Sequence, residues 1–315
     1  MASRVHNPLA GFVRDQGLVV LDGGLATALE ERGYDLRDPL WSAKLLIEAP
    51  DAIRDLHRTY LDAGADCIST ATYQASLAGF RGRGLSDADG AELMRLAVLL
   101  ASEARAGFWA DESQRSGRLY PVVAASIGPY GAYLADGSEY SGDYDVSDEQ
   151  LYEFHRGRWR VLAATGADIL ACETIPSGRE AAVLLRLLRE TPERQAWMSF
   201  SCGDDCLWDG TPLRDVVRAC DGAPNLAAVG INCTAPGLVP ALIAAAREAT
   251  DKMVIVYPNL GEPYDAETKT WGAGLPPDAW LDAVDEWVRL GAAGVGGCCR
   301  IGPATIAEMR RRLLG

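Results

Sequence analysis

Three cysteines carry the strongest chemical signal in this sequence. Cys298 and Cys299 are adjacent near the end of the chain, and Cys233 lies far upstream in the segment 230–234. Three thiolates form a zinc-binding donor set that leaves the fourth tetrahedral position open, and an open position is typical of a catalytic rather than a structural zinc. We therefore predict a metal site that does chemistry, with Cys233, Cys298 and Cys299 as its ligands.

The adjacent pair can share one metal only if the backbone turns there, because neighbouring side chains of an extended segment point to opposite faces. Gly296 and Gly297 precede the pair and predict that turn, since glycine tolerates backbone angles that other residues avoid. The alternative is that Cys298 and Cys299 are ordinary buried thiols, which behave as small core hydrophobes.

The elements that must position these cysteines follow a regular rhythm. Eight short apolar runs alternate with segments of helical periodicity, and the predicted strands are residues 18–21, 66–70, 120–126, 168–173, 196–201, 226–232, 252–257 and 293–297. The alternation predicts a parallel sheet, and eight repeats favour a closed (β/α)₈ TIM barrel over an open doubly wound sheet. We find no internal linker, so a single α/β domain is predicted over residues 1–315.

A barrel of this kind works at the carboxyl ends of its strands. Cys233 follows the sixth predicted strand and the cysteine pair follows the eighth, so the three side chains are expected to converge across one rim. The longest connection, residues 131–148, follows the third strand and is rich in tyrosine and acidic residues. We interpret it as a lid over the site, and a solvated surface loop is the alternative.

Composition excludes several classes of partner. The chain has 30 Lys+Arg against 44 Asp+Glu, a net charge of −14, whereas nucleic acids and anionic membranes require basic clusters. We find neither a signal-peptide pattern at the start nor a run of about 18 apolar residues. Eight cysteines spread over a large chain favour a reducing compartment, so a cytoplasmic enzyme of small molecules is expected, with its oligomeric state open.

Nine segments match a known family in nearly end-to-end order: 22–27, 40–43, 72–76, 126–132, 137–140, 173–177, 230–233, 256–259 and 297–300. They resemble the zinc-dependent homocysteine S-methyltransferases, and most closely the branch that uses S-methylmethionine or S-adenosylmethionine. The betaine-dependent branch typically has Tyr at the position of Thr174. Selenocysteine or selenohomocysteine as acceptor, betaine as donor, and a zinc–thiol binding barrel without catalysis stay open as alternatives.

The resemblance implies a methyltransferase (EC 2.1.1 class) that converts L-homocysteine to methionine with one zinc ion per chain. A free thiol with a pKa of about 8.5 is only slightly ionised at neutral pH, and zinc coordination removes that obstacle. No protein general base is therefore expected. His57 and His155 are interpreted as ordinary helix residues.

The resemblance also implies contacts for both substrates. We expect Asp22 and Glu173 to bind the ammonium group of homocysteine, and the backbone N–H groups of Gly23, Gly24 and Leu25 to bind its carboxylate. Asn232 is expected to touch the substrate or to support Cys233. Further residues are candidates for the pocket that binds the methyl donor. The donor's positive sulfur is expected to lie against aromatic faces, an interaction worth about 0.5–2 kcal/mol. The candidates are Trp41, Tyr73, Ser126, Tyr130, Tyr140 and Asn259.

Overall fold

A computed structural model of the protein describes residues 6–38, 40–261, 264–265, 270–271 and 274–315. Eight parallel strands form the barrel: β1 (Val19–Val20), β2 (Cys67–Ser69), β3 (Val122–Ile127), β4 (Ile169–Ile175), β5 (Ala196–Phe200), β6 (Leu226–Asn232), β7 (Met253–Tyr257) and β10 (Gly294–Val295). The predicted (β/α)₈ barrel is confirmed, and every predicted strand is present with slightly different ends. A short antiparallel hairpin, β8 (Tyr264–Asp265) with β9 (Thr270–Trp271), follows β7.

The strands follow one another in the order β1-β10-β7-β6-β5-β4-β3-β2. The ring closes between β1 and β2 through a parallel bridge from Leu21 to Cys67. Two hydrogen bonds flank that bridge, from Asp66 N–H to the Val20 carbonyl at 2.7 Å and from Asp22 N–H to the Cys67 carbonyl at 3.0 Å. Closure brings the end of β1 beside the ends of β2 and β10, where the predicted site residues lie.

Helices surround the barrel. Their bounds are α1 (Ala10–Gln16), α2 (Leu25–Glu31), α3 (Leu45–Glu48), α4 (Pro50–Asp62), α5 (Leu77–Gly82), α6 (Asp87–Ala110), α7 (Tyr130–Leu134), α8 (Asp148–Ala163), α9 (Gly178–Arg189), α10 (Leu213–Asp221), α11 (Val239–Ala249), α12 (Pro277–Arg289) and α13 (Pro303–Leu314). The starts of the two longest helices are fixed by capping boxes, Ser86 with Asp89 and Ser147 with Gln150. No helix in the described part of the chain is long and apolar enough to cross a membrane.

The core has two parts, as the geometry of a barrel requires. Inside the ring, alternate strand residues such as Val19, Ala124, Ala171 and Ile255 form one buried cluster. The other, larger cluster lies between the strands and the helices and contains the opposite strand faces. Packing on both faces explains why the strands read as nearly continuous apolar runs in the sequence.

Candidate metal and substrate site

The three predicted metal ligands lie together. The Sγ atoms of Cys233, Cys298 and Cys299 are all within 4.8 Å of one another, at the carboxyl ends of β6 and β10. Cys233 is 5% exposed and Cys299 is 8% exposed, whereas Cys298 is partly exposed, so the cluster is mostly buried and opens to solvent at Cys298. A soft, buried, three-sulfur donor set of this size fits a zinc ion with one remaining coordination position.

The backbone turn that joins the cysteines differs from the predicted one. The sequence interpretation assigned the turn to Gly296 and Gly297, but neither has a positive φ angle; Cys233 (φ 48°) and Arg300 (φ 66°) do. The glycines are needed for close packing instead. A Cβ atom on Gly296 would lie 2.5 Å from the Cβ of Leu21, and one on Gly297 would lie 2.2 Å from the Cβ of Ile301. Gly296 thus lets the cysteine loop pack against the end of β1, and Gly297 lets Ile301 pack back onto the loop.

The electrostatics of the three cysteines support the binding of a metal ion at this site. Hydrogen bonds from Cys298 and Cys299 lower the pKa of Cys233, and the contacts with Cys233 raise the pKa values of the other two thiols. The protein alone therefore stabilises one negative charge among the three sulfurs. A divalent cation is what would keep three thiolates together in a buried site, because it supplies the missing positive charge.

A cavity at the same end of the barrel connects the cysteines with most of the predicted substrate residues. Its walls include Asp22, Gly23, Gly24, Leu25, Trp41, Tyr73, Ser126, Tyr140, Glu173 and Asn232 together with the three cysteines. The structure thus brings residues from six different strand ends to one cavity, as expected for a barrel enzyme.

Two predicted residues do not reach the cavity wall. The ring of Tyr130 packs on Tyr144 and Phe154, with centroid distances of 5.3 and 4.8 Å. The side-chain oxygen of Asn259 accepts a hydrogen bond from the Gly261 N–H at 2.9 Å. The contacts of Tyr130 support the lid segment and those of Asn259 support a turn, so neither is placed against a ligand by this structure.

Asp22 and Glu173 form the acidic part of the cavity. Asp22 accepts a hydrogen bond from the Ser69 N–H at 2.7 Å, and burial raises its pKa well above the usual value. Burial also raises the pKa of Glu173 to about 7, although hydrogen bonds from Ser126 and Tyr257 oppose that shift. The Glu173 charge further raises the pKa of Asp22. Two carboxyl groups that disfavour each other's ionisation form a site suited to a cation.

A strained turn at the end of β4 presents Glu173. The β4–β5 register shifts between Cys172 and Ile175, and Thr174 adopts a left-handed conformation with φ 60°. Asn232 holds that turn: its Oδ1 accepts from the Thr174 N–H at 2.8 Å, and its Nδ2 donates to Thr174 Oγ1 at 2.7 Å. The amide of Asn232 is therefore engaged by the protein, which favours a supporting role for this residue over direct substrate binding.

The glycine turn after β1 also has a role that the sequence interpretation missed. The N–H group of Gly24 donates to the Ile301 carbonyl at 3.0 Å, so the protein itself engages this donor, and its predicted contact with the substrate carboxylate stays a prediction. A Cβ atom on Gly24 would lie 2.7 Å from the Cys298 carbonyl oxygen. Gly24 is thus required where helix α2 meets the cysteine loop, and Gly23 and Leu25 remain candidates for the carboxylate.

The lid segment, residues 131–148, contributes to the cavity. Ala135, Gly137, Glu139 and Tyr140 lie in the wall, and the Tyr140 hydroxyl lies 3.3 Å from Cys233 Sγ. Glu139 was not singled out from the sequence, although it stands in the matched segment 137–140. Whether this segment opens and closes stays a prediction.

Tyr257 is a second cavity residue that the sequence interpretation missed. It ends β7 and hydrogen-bonds Ser199, and it accepts a bond from Trp197 Nε1 at 3.1 Å. Its position at a strand end was the available signal.

His57 and His155 lie on helices, as predicted, and both are buried. His57 lies on α4 and His155 on α8, and burial lowers the pKa of each to about 4. His155 contacts Glu180 at 2.7 Å and accepts from Arg158 at 2.9 Å. Neither histidine lines the cavity, so the site contains no histidine base among the described residues.

Comparison with known proteins gives consistent matches. The family model described as homocysteine S-methyltransferase matches residues 19–313. The homocysteine S-methyltransferase YbgG of Bacillus subtilis is 49% identical over 304 residues, covering 96% of each chain. A selenocysteine Se-methyltransferase of Brassica oleracea is 42% identical, covering 95% of this chain and 89% of the relative. The crystal structure of the homocysteine methyltransferase MmuM from Escherichia coli in its metallated form matches with a TM-score of 0.87 and 44% identity, over 97% of this chain and 100% of that one.

Proposed function

Because this chain belongs to the homocysteine S-methyltransferase family, and is therefore a methyltransferase, we propose that it transfers a methyl group from a sulfonium donor to L-homocysteine, forming methionine. We further propose that one zinc ion per chain is held by Cys233, Cys298 and Cys299. S-methylmethionine and S-adenosylmethionine are the proposed donors. The observation that carries the proposal is the convergence of three cysteines and two buried acids, Asp22 and Glu173, on one cavity.

Bound zinc would supply the positive charge that turns the homocysteine thiol into a thiolate at neutral pH. The chain's own residues then fix the amino acid. Asp22 and Glu173 bind the ammonium group, whose single positive charge offsets the cost of an ionised carboxyl group at this buried site. The N–H groups of Gly23 and Leu25, beside the start of helix α2, bind the carboxylate. With both ends held, the sulfur points toward the cysteines.

The methyl transfer requires neither a protein base nor an oxidant. The homocysteine sulfur forms a bond to the methyl carbon in line with the breaking bond to the donor sulfur. The electron pair of the broken bond stays on the donor, which leaves as a neutral thioether, and the thiol proton goes to solvent. Trp41 and Tyr73 pack edge to face with ring centroids 6.2 Å apart and offer aromatic surface to the sulfonium.

Charge in the cavity favours a cationic donor over a zwitterion such as betaine. Five acidic side chains line the wall, namely Asp22, Glu30, Asp38, Glu139 and Glu173. Arg37 is the one cationic side chain among the described residues there. A sulfonium amino acid has a net charge of +1 and is attracted by those wall acids that are ionised, whereas betaine has no net charge and gains little. Thr174 in place of the tyrosine typical of the betaine branch agrees with this assignment.

The experiment is a donor panel with the zinc-loaded protein and homocysteine. S-methylmethionine, S-adenosylmethionine and betaine are compared at equal concentration, and methionine is measured by mass spectrometry, with an isotopic label on the transferred methyl group. Labelled methionine from a sulfonium and not from betaine is the expected result. No methionine from any donor, with stoichiometric zinc present, would refute the proposed function.

A second acceptor is supported by one relative. The similarity to a selenocysteine Se-methyltransferase makes selenocysteine a candidate for the same cavity. A selenol ionises more readily than a thiol, so it depends less on activation by the metal. The same donor panel with selenocysteine as acceptor tests this, and equal loss of both activities on removal of zinc would argue against a separate selenium role.

We also propose that the enzyme is cytoplasmic and acts on small molecules only. All eight cysteines are free thiols, which agrees with a reducing compartment.

A further inference from the structure

One carboxylate oxygen of the half-buried Glu139 is unpaired in the cavity wall. Its Oε2 atom is buried and has no hydrogen-bond partner among the described residues. The backbone N–H groups of Glu139 and Gly137 stabilise the charged form, but burial outweighs them and raises the pKa of Glu139 to about 7. A buried oxygen with no donor costs free energy unless a ligand supplies one, so this atom indicates a contact that the free protein lacks.

The position of Glu139 is fixed by the backbone. It lies in a 3₁₀ turn, Ser138–Tyr140, that begins after Gly137 in a left-handed conformation with φ 90°. Helix α7 packs directly on that turn, since a Cβ atom on Gly131 would lie 2.3 Å from the Glu139 backbone nitrogen. The next residue, Tyr140, contacts Cys233. The backbone thus holds Glu139 at a defined position close to the cysteine cluster.

The protein does not neutralise this charge. Arg37 is the one cationic side chain among the described wall residues. Its side chain is 77% exposed and is already paired with Asp35, with Nε and Oδ1 at 2.9 Å. No ion pair to Glu139 occurs in the described part of the chain. The described residues therefore supply no positive partner for an ionised Glu139, and a cationic substrate can supply one.

We propose that Glu139 binds the α-ammonium group of the methyl donor and so selects donors that are amino acids. This inference rests on the proposed function. Asp22 and Glu173 are already assigned to the ammonium group of homocysteine. The remaining candidates for a partner of Glu139 are the two cationic groups of the donor, its sulfonium and its ammonium. A sulfonium centre carries no N–H or O–H, so it cannot satisfy Oε2, whereas an ammonium group has three strong donors. Glu139 is a specificity residue: it binds the donor equally in the ground and transition states and leaves the chemical step unchanged.

The test compares two donors that differ only in the amino group. These are S-methylmethionine and 4-(dimethylsulfonio)butanoate, its analogue without nitrogen, assayed with homocysteine and the zinc-loaded enzyme. The ratio of their kcat/KM values is measured in wild type, Glu139→Gln and Asp145→Asn. Asp145 is an exposed acid on the same segment, so its variant controls for the loss of one negative charge. Where the analogue is too poor a substrate, its inhibition constant against S-methylmethionine replaces kcat/KM.

We expect wild type and Asp145→Asn to prefer S-methylmethionine by about tenfold to a hundredfold, the value of a charge-assisted hydrogen bond, and Glu139→Gln to lose most of that preference through KM. The homocysteine KM should not change. Because the ratio is taken within one preparation, partial unfolding or zinc loss cancels. An unchanged ratio in Glu139→Gln, with wild type active, overturns the inference and leaves the proposed function standing. A raised homocysteine KM alone would assign Glu139 to the acceptor and also overturn it.

Discussion

The hydroxyl of Tyr140 lies 3.3 Å from the Sγ atom of Cys233, which links the lid segment directly to the cysteine cluster. When Cys233 is a thiolate, the hydroxyl donates to it and holds its side chain in place. Residues that orient metal ligands in this way typically contribute about tenfold to a hundredfold in metal affinity. We expect Tyr140→Phe to weaken zinc binding within that range, measured by competition with a chelator.

Tyr133→Phe is the matched control for that variant. Tyr133 lies on the same segment, and its ring packs on Tyr130 and Phe154 instead of a cysteine. Zinc affinity should be unchanged in Tyr133→Phe. Equal weakening in both variants would mean that the effect comes from general loosening of the segment, and no change in Tyr140→Phe would show that the hydroxyl does not support Cys233.

The cysteines themselves are expected to be individually essential for the metal. Cys233→Ala and Cys298→Ala each leave two sulfurs, too few for a stable zinc site of this kind. We expect both variants to purify without stoichiometric zinc and without methyl transfer, while circular dichroism shows an intact barrel. Cys206→Ala, which removes a thiol outside the cluster, should retain zinc. Retention of zinc by either cluster variant would remove that residue from the proposed ligands.

The barrel was predictable because its strands carry a strong periodic signal. Strands such as β3 and β6 are buried on both faces, so their residues are nearly all apolar and stand out between helical segments. The position of the site follows from the fold, since parallel strands bring their carboxyl ends to one face. That reasoning placed Cys233 opposite the cysteine pair across a sequence distance that no local pattern spans.

The details of the site were less predictable because they depend on strained backbone. Four non-glycine residues of the cavity wall have positive φ: Trp41 (47°), Ala135 (55°), Thr174 (60°) and Cys233 (48°). Intrinsic preferences disfavour this conformation in all four, and in β-branched Thr most strongly, so only tertiary contacts impose it. The same limit explains why the role of Gly296 was predicted wrongly, since its close contact is with Leu21 in a distant part of the chain.

Gly24 should prove necessary for the metal site although it is no ligand. The Cβ atom of an alanine there would lie 2.7 Å from the Cys298 carbonyl oxygen and 3.1 Å from the Cys299 Cα atom. The cysteine loop must move to relieve these contacts, at a cost of about 1–3 kcal/mol in folding free energy. We expect Gly24→Ala to lower both the melting temperature and the zinc affinity.

Gly166→Ala provides the comparison for Gly24→Ala, because a Cβ atom at Gly166 meets nothing within 4 Å. It should melt and bind zinc as the wild type does. A Gly24→Ala protein with normal zinc affinity would show that the loop adjusts without disturbing the cysteines.

Binding of the acceptor amino acid should depend on pH through Glu173. Burial raises the pKa of this carboxyl group to about 7, so in the free protein it is largely protonated below that pH. An ammonium group binds the ionised form, and binding therefore releases a proton. Affinity should fall as the pH drops below 7, approaching tenfold per pH unit, and should level off above it.

L-homoserine is a suitable probe for that pH dependence, because it has the ammonium and carboxylate of homocysteine without a thiol that titrates. Calorimetry between pH 5.5 and 8.5 in buffers of different ionisation enthalpy measures both the affinity and the protons released. Glu173→Gln should bind weakly at every pH and lose the inflection near 7, whereas Glu139→Gln, which alters the other buried acid with a pKa raised to about 7, should keep it. If the inflection persists in Glu173→Gln and disappears in Glu139→Gln, the two assignments are reversed: Glu139 would bind the acceptor and Glu173 the donor.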